Sequence, residues 1–152
     1  MPALFTVVKF VHILLAIFAF GFNATYAIWI VRAQRDPQHL DFALRGVKFL
    51  DDYFANPAYL LLLVSGLTMV ALAHYQLTTF WLAAALVLWL VAIALGYGVY
   101  TPTLRRQIQT LASSGAQSAE YQSLATRGTV VGITLAVLVL LILVMMVFKP
   151  GV

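Results

Sequence analysis

The sequence predicts an all-α, polytopic membrane protein, an antiparallel bundle of four transmembrane helices with short cytoplasmic amphipathic helices between them. Three observations predict this class. The 152 residues are 63% hydrophobic and only 9% charged, whereas soluble domains carry roughly 25% charged and 45–50% apolar residues. A water-soluble monomer of this size has no way to hide so much apolar surface. Four stretches approach or exceed the roughly 20 apolar residues that cross a hydrocarbon core. Finally, seven of the nine basic residues fall in the two long segments between those stretches.

The first stretch covers residues 4–31. Its opening, MPALFTVVK, is apolar rather than basic, and the apolar run continues to Trp29. That is too long for a cleaved signal peptide, so it reads as a retained helix. The second, residues 57–75, is the shortest. Asn56 before Pro57 reads as a helix start, with Asn as cap and Pro in the first turn. Only residues 76–78 separate it from the third stretch, 79–101, so the two are expected to form a tight antiparallel pair. Gly98 and Thr101-Pro102 predict a bend or stop at the end of the third. The fourth, residues 129–148, runs through VVGITLAVLVLLILVMMVF without a charge. Residues 1–152 thus form one transmembrane domain of two halves with the same plan, span, loop and span, without a residue-level repeat between them.

Loop charge sets the expected orientation. Residues 32–56 hold Arg32, Arg35, Arg45 and Lys48, and residues 102–128 hold Arg105, Arg106 and Arg127. The positive-inside rule then places both loops in the cytoplasm and both termini outside. All five acidic residues join them there. The net charge of +4 is therefore a topology signal, and no nucleic-acid partner is expected. In the first loop Leu40, Leu44, Val47, Phe49 and Leu50 interleave with Asp41, Arg45, Lys48, Asp51 and Asp52. This resembles an amphipathic helix lying on the membrane surface. In the second, Leu104, Ile108 and Leu111 repeat at helical spacing after Pro102, and SSGAQS reads as a flexible turn. The alternative for both loops is a polar linker with short helical turns.

Ionisable groups inside a span are costly and usually face the bundle interior or water. Lys9, His12, Ala16, Ala19, Asn23 and Tyr26 recur every three or four residues along one face of the first helix. Phe10, Leu14, Phe18 and Phe22 point elsewhere, partly towards lipid. His12 lies roughly 12 Å into the span from Leu4 at about 1.5 Å per residue. A neutral imidazole there is a candidate ligand for haem iron or another metal; the plainer reading is a hydrogen bond to a neighbouring helix. Lys9 either snorkels to the headgroups or anchors an anionic group such as a propionate. Asn23 is expected to form an interhelical hydrogen bond. His74 ends the second span on the same side as His12, as a second haem ligand across helices or as an interfacial residue. Tyr26, Trp29 and Trp81 read as interfacial belt residues, and Trp89 as packing. His39 has no assigned role.

Gly128, Gly132 and Ala136 are spaced by four on the fourth span, as are Ala92 and Gly96 on the third. Such small faces let helices approach closely, either within the bundle or in a homodimer or larger membrane complex. The absence of cysteine excludes disulfides and thiolate sites. No span carries paired acids for proton coupling. No HExxH, phosphate-binding glycine loop or Ser/His/Asp set is present, so hydrolysis and nucleotide chemistry are poor readings.

The stretch KFVHILLAIFAFGFNATYAIWIVR resembles the opening of a bacterial superfamily of small polytopic proteins. That group includes the copper-resistance D (CopD-like) membrane domains, the HemJ-type protoporphyrinogen oxidases and a family of predicted integral membrane proteins of unknown function. The resembling positions are Lys9, His12 and Gly21 in the first span and Pro57, Ala58 and Gly66 in NPAYLLLLVSGLTMV. FWLAAALVLWLVAIALGYGVYTPTLRRQ follows the same plan, so the resemblance covers most of residues 7–106. It implies a bacterial inner-membrane location and His12 as a haem ligand. HemJ-type enzymes look to need a lysine soon after a tryptophan in the third span. Here Trp81 is followed by Leu82, Ala83, Ala84 and Ala85, so the oxidase activity does not carry over. Four methionines and no cysteine are too little sulfur for a soft copper site. The branch of unknown function fits best.

Two main readings follow. In one, the bundle binds haem b or another tetrapyrrole through His12, for electron transfer or porphyrin handling. In the other, the chain is a non-enzymatic accessory or scaffold subunit of a membrane complex, with His12 and Asn23 tying helices together. A third is a carrier of a small neutral solute along the first-helix stripe. The carrier is the weakest of the three, and none of them assigns a catalytic residue.

Overall fold

The structure is a computed structural model that describes residues 2–151. Its ordered elements are all helical: α1 (Pro2–Gln34), α2 (Pro37–Leu50), α3 (Asn56–Ala73), α4 (Phe80–Leu95), α5 (Thr101–Ser114) and α6 (Ala119–Phe148). Single π-helical turns, Asp51–Ala55 and Gly96–Tyr100, join α2 to α3 and α4 to α5 without a break. Four continuous helices, Pro2–Gln34, Pro37–Ala73, Phe80–Ser114 and Ala119–Phe148, are therefore long and apolar enough to cross a membrane. The long connections lie at one end of the bundle, here the loop end; the chain termini and the α3–α4 turn lie at the other, the termini end.

Both π-turns have the same local cause. Pro57 and Pro102 follow Asn56 and Thr101 inside a helix. A proline has no N–H, and its ring crowds the carbonyl four residues back. The chain relieves this by widening one turn. Asn56 N–H then bonds to Asp51 O, and Thr101 N–H to Gly96 O, five residues back in each case. Asn56 is accordingly right-handed helical at φ −62°, ψ −47°, and does not cap a helix as its sequence context suggests. The helix instead begins at Pro37, preceded by Asp36 in an extended conformation.

This changes the reading of the connections. α2 and α5 are not separate surface helices. Each is the extension of a spanning helix beyond its π-turn. Leu40, Ala43, Leu44 and Val47 are buried, because α2 lays that stripe against α1 and α5 rather than on lipid. Phe42 and Phe49 remain on the outer side, exposed. Ser118 caps α6, its hydroxyl accepting from Tyr121 N–H at 3.2 Å.

The helices pack as two pairs, α1 with α3 and α4 with α6, and α1 also touches α6. The expected tight pairing of α3 with α4 is absent. Their turn is short, with Thr79 N–H bonding to Gln76 O at 3.0 Å, but each helix finds its partner elsewhere. The first-helix stripe does face inward: Ala19 and Tyr26 are buried, and His12, Ala16 and Asn23 half-buried. Phe10, Leu14 and Phe18 are exposed as expected. Phe22 is not; it packs against the core, its ring 5.5 Å from that of Phe54. Gly128 and Gly132 also turn inward. A Cβ on Gly128 would meet Gln107 Oε1 at 3.6 Å, and one on Gly132 would meet Tyr100 Cε2 at 3.5 Å.

The tightest core sits at the loop end, around Tyr26, Leu40, Leu44, Val47, Tyr100, Leu104 and Tyr121. The termini end is looser, and that is where the two helix pairs part.

Candidate functional site

Between the pairs, a cavity of about 370 Å³ opens at the termini end. α1 supplies Lys9 and His12, α3 supplies Gly66 and Met69, α4 supplies Trp81 and Trp89, and α6 supplies Ile142 and Met146. The size falls in the usual range for small-molecule sites, and so does the mostly apolar wall with a few polar groups. It exists because α3 and α4 are joined by a short turn yet pack on different partners.

His12 is the polar group on the α1 wall, and it is hydrogen-bonded to α3. His12 Nδ1 lies 2.8 Å from Ser65 Oγ. The Ser65 hydroxyl donates to Leu61 O at 2.7 Å, one turn back on α3. A hydroxyl has a single hydrogen, and Leu61 O, Leu62 O at 3.2 Å and His12 Nδ1 all lie within its reach. With that hydrogen on Leu61 O, Oγ accepts from Nδ1–H and Nε2 keeps its lone pair. This is the tautomer of a ligating imidazole with a second-shell partner. Gly66 makes the approach possible: a Cβ there would stand 3.3 Å from His12 Cε1.

Two lysines border the cavity. Lys9 is exposed near the start of α1. Lys149 follows the end of α6 in a left-handed conformation, φ 45°. Its ammonium sits 5.1 Å from the Trp81 ring centre and 5.6 Å from that of Tyr75, within the range of a cation–π contact. Tyr75 and Trp81 meet edge to face at 5.7 Å. Trp81 is thus a buried wall residue rather than a membrane-belt residue. Trp89 is also on the wall, and its indole N–H is buried without a hydrogen-bond partner among the described residues.

His74 is not brought to His12. It ends α3 in the left-handed conformation, φ 53°, exposed and away from the cavity lining. Among the described residues no three His, Cys, Asp or Glu side chains gather as a metal cage would need.

Asn23 is separated from the cavity as well. It belongs to a polar cluster at the loop end, where its amide donates to Ala19 O at 2.9 Å and to the Tyr59 hydroxyl on α3. Asp51, in the first π-turn, is buried in this cluster and accepts from Thr101 Oγ1 at 2.9 Å and from Asn56 Nδ2 at 3.5 Å. It links the two proline kinks. Tyr26 is buried here too, stacked on Tyr100 with ring centres 6.5 Å apart, rather than lying in an interfacial belt. The sequence signal for this cluster is the pair of Asn-Pro and Thr-Pro steps, with Asp51 one π-turn before the first.

No curated protein and no solved structure matches the chain. A family described as a predicted integral membrane protein matches residues 6–150. That match spans nearly the whole bundle, including the cavity and the loop-end cluster, so the chain belongs to the DUF2269 family of predicted integral membrane proteins.

Proposed function

We propose that the protein is a membrane-embedded tetrapyrrole-binding protein, in which the termini-end cavity would take haem b and His12 would hold it. The carrying observation is an imidazole, His12, held by Ser65 at 2.8 Å on the wall of an apolar cavity. The remaining donor set suits the group. Lys9 and Lys149 border the cavity and would pair with the two propionates, and the aliphatic and aromatic wall would cover the ring. The orphaned Trp89 N–H supplies a donor for a polar edge. Bound haem would supply one-electron chemistry. Of the residues, Ser65 holds the imidazole, Gly66 lets it approach α3, and the two lysines orient the anionic edge. His74 is not among the residues that line the cavity, so among the described residues His12 is the histidine that would hold the group.

The basic residues of the loop end support a cytoplasmic placement of the loops, with the cavity and both termini on the outer half of a bacterial inner membrane. The inward use of Gly128 and Gly132 supports bundle packing as the role of those positions, rather than a homodimer face. The test is the absorption spectrum of protein purified from haem-supplemented cells. A Soret band at one haem per chain is expected. Colourless protein that gains no band on haem addition would leave the scaffold reading in its place.

A further inference from the structure

The loop-end cluster encloses a second, much smaller cavity of about 10 Å³, room for one water-sized guest. Asp51, Asn23, Asn56, Tyr59 and Tyr100 line it, brought there by α1, α3 and both π-turns. Asp51 is 5% exposed, and its hydrogen-bond donors, Thr101 and Asn56, are neutral. The nearest basic side chain in sequence, Lys48, is paired with Asp52. The other ion pairs among the described residues, His39 with Asp36 and Arg45 with Asp41, lie elsewhere on the surface. Lys48 also acts on Asp51 through its charge, but one lysine against Asp51 and Asp52 leaves one negative charge uncompensated, and a buried carboxylate so placed is costly.

Six of the ten wall residues carry a side-chain oxygen, and Ala92, Ile93, Gly96 and Leu135 close the rest of the wall with apolar surface. Asn23 uses its NH₂ on Ala19 O and the Tyr59 hydroxyl, and Asn56 uses its NH₂ on Asp51. Each amide is thereby oriented with its carbonyl oxygen left over. Beside them, the Tyr26 hydroxyl is buried with no partner among the described residues, on a ring that is 3% exposed and stacks on Tyr100.

We infer that this cavity binds one small monovalent cation, sodium by size. Asp51 is its charge partner, and the side-chain oxygens of Asn23, Asn56, Tyr59 and Tyr100 are its neutral donors. One carboxylate balances one positive charge, whereas a divalent ion would leave a net charge in a low-dielectric interior. All-oxygen donors suit a hard cation. A cavity at the lower limit for one water suits sodium better than potassium, which is itself about as large as a water molecule. The ion would tie α1 and α3 to the two proline kinks.

Thermal unfolding of the detergent-purified full chain, at fixed pH, tests this. Sodium chloride is compared with potassium and choline chloride at matched ionic strength. A saturable sodium-specific rise in Tm of about 4 °C is expected, absent in Asp51→Asn. Thr101→Val, which drops one bond to Asp51 with little change of shape, is expected to raise the half-saturating sodium concentration several-fold. It gives the same reading should Asp51→Asn fail to fold. Equal Tm in the three salts overturns the assignment. So does a potassium-selective response, a sodium response kept by Asp51→Asn, or an unchanged half-saturating concentration in Thr101→Val.

Discussion

His12 on α1 and Ser65 on α3 are joined by a 2.8 Å contact between Nδ1 and Oγ, and Ser65 Oγ also reaches Leu61 O at 2.7 Å, one turn back on its own helix. The contact ties the imidazole to α3. In Ser65→Ala that partner is lost. Haem affinity is expected to fall by about 10–100-fold, the usual effect of losing a second-shell partner. A haem titration of the purified variant followed at the Soret band measures it; unchanged affinity removes Ser65 from the site.

Gly66 and Gly21 offer a matched pair. An added Cβ at Gly66 meets the His12 ring at 3.3 Å, whereas nothing lies within 4 Å of one at Gly21. Gly66→Ala is expected to cost about 1–2 kcal/mol through overpacking and to weaken haem binding as the imidazole is displaced. Gly21→Ala is expected to be neutral, or stabilising by up to about 1 kcal/mol through helix propensity. Denaturation in mixed detergent micelles compares the two.

Asn23 bridges α1 and α3 at the other end through Tyr59. Asn23→Leu removes that bond. A loss of about 1 kcal/mol is expected, the scale of interhelical hydrogen bonds in membrane proteins. Because Asn23 lies outside the large cavity, haem affinity is expected to stay within about twofold of wild type, well below the 10–100-fold effect of a second-shell loss. A drop comparable to that of Ser65→Ala would show that the two ends are not separate sites.

The Tyr26 hydroxyl is buried without a partner among the described residues. Tyr26→Phe keeps the ring stacked on Tyr100 and removes an unsatisfied polar group. In sodium-free buffer the variant is expected to be as stable as wild type, or more stable by about 1 kcal/mol. A clear destabilisation there would mean that the hydroxyl has a partner.

The sequence shows the class of fold and the inward stripe of α1 because each rests on a property that repeats along the chain. Apolar length marks the spans, and a step of three or four marks the stripe. It does not show which spans pair. The turn between α3 and α4 constrains only their ends, while the faces that meet, α1 on α3 and α4 on α6, are set by three-dimensional fit. Trp81 and Tyr26 mislead for a related reason. An aromatic residue near the end of a span reads as interfacial by type, and only the partners decide whether it is buried. Asp51 is hidden differently: it sits in a charged stretch that reads as solvated loop, yet the π-turn ahead of Pro57 rotates it into the bundle. His12 is visible from the start, but Ser65 gains its meaning only through contact with it.

The most direct test is a stoichiometric haem titration of wild type, His12→Ala and His74→Ala, each first shown to be folded by its helical circular dichroism and a monodisperse elution profile. A saturating Soret band at one haem per chain is expected in wild type and in His74→Ala, and a lost or strongly weakened band in His12→Ala. A wild type without a band, or a His12→Ala titration that overlays that of wild type, contradicts haem binding through His12.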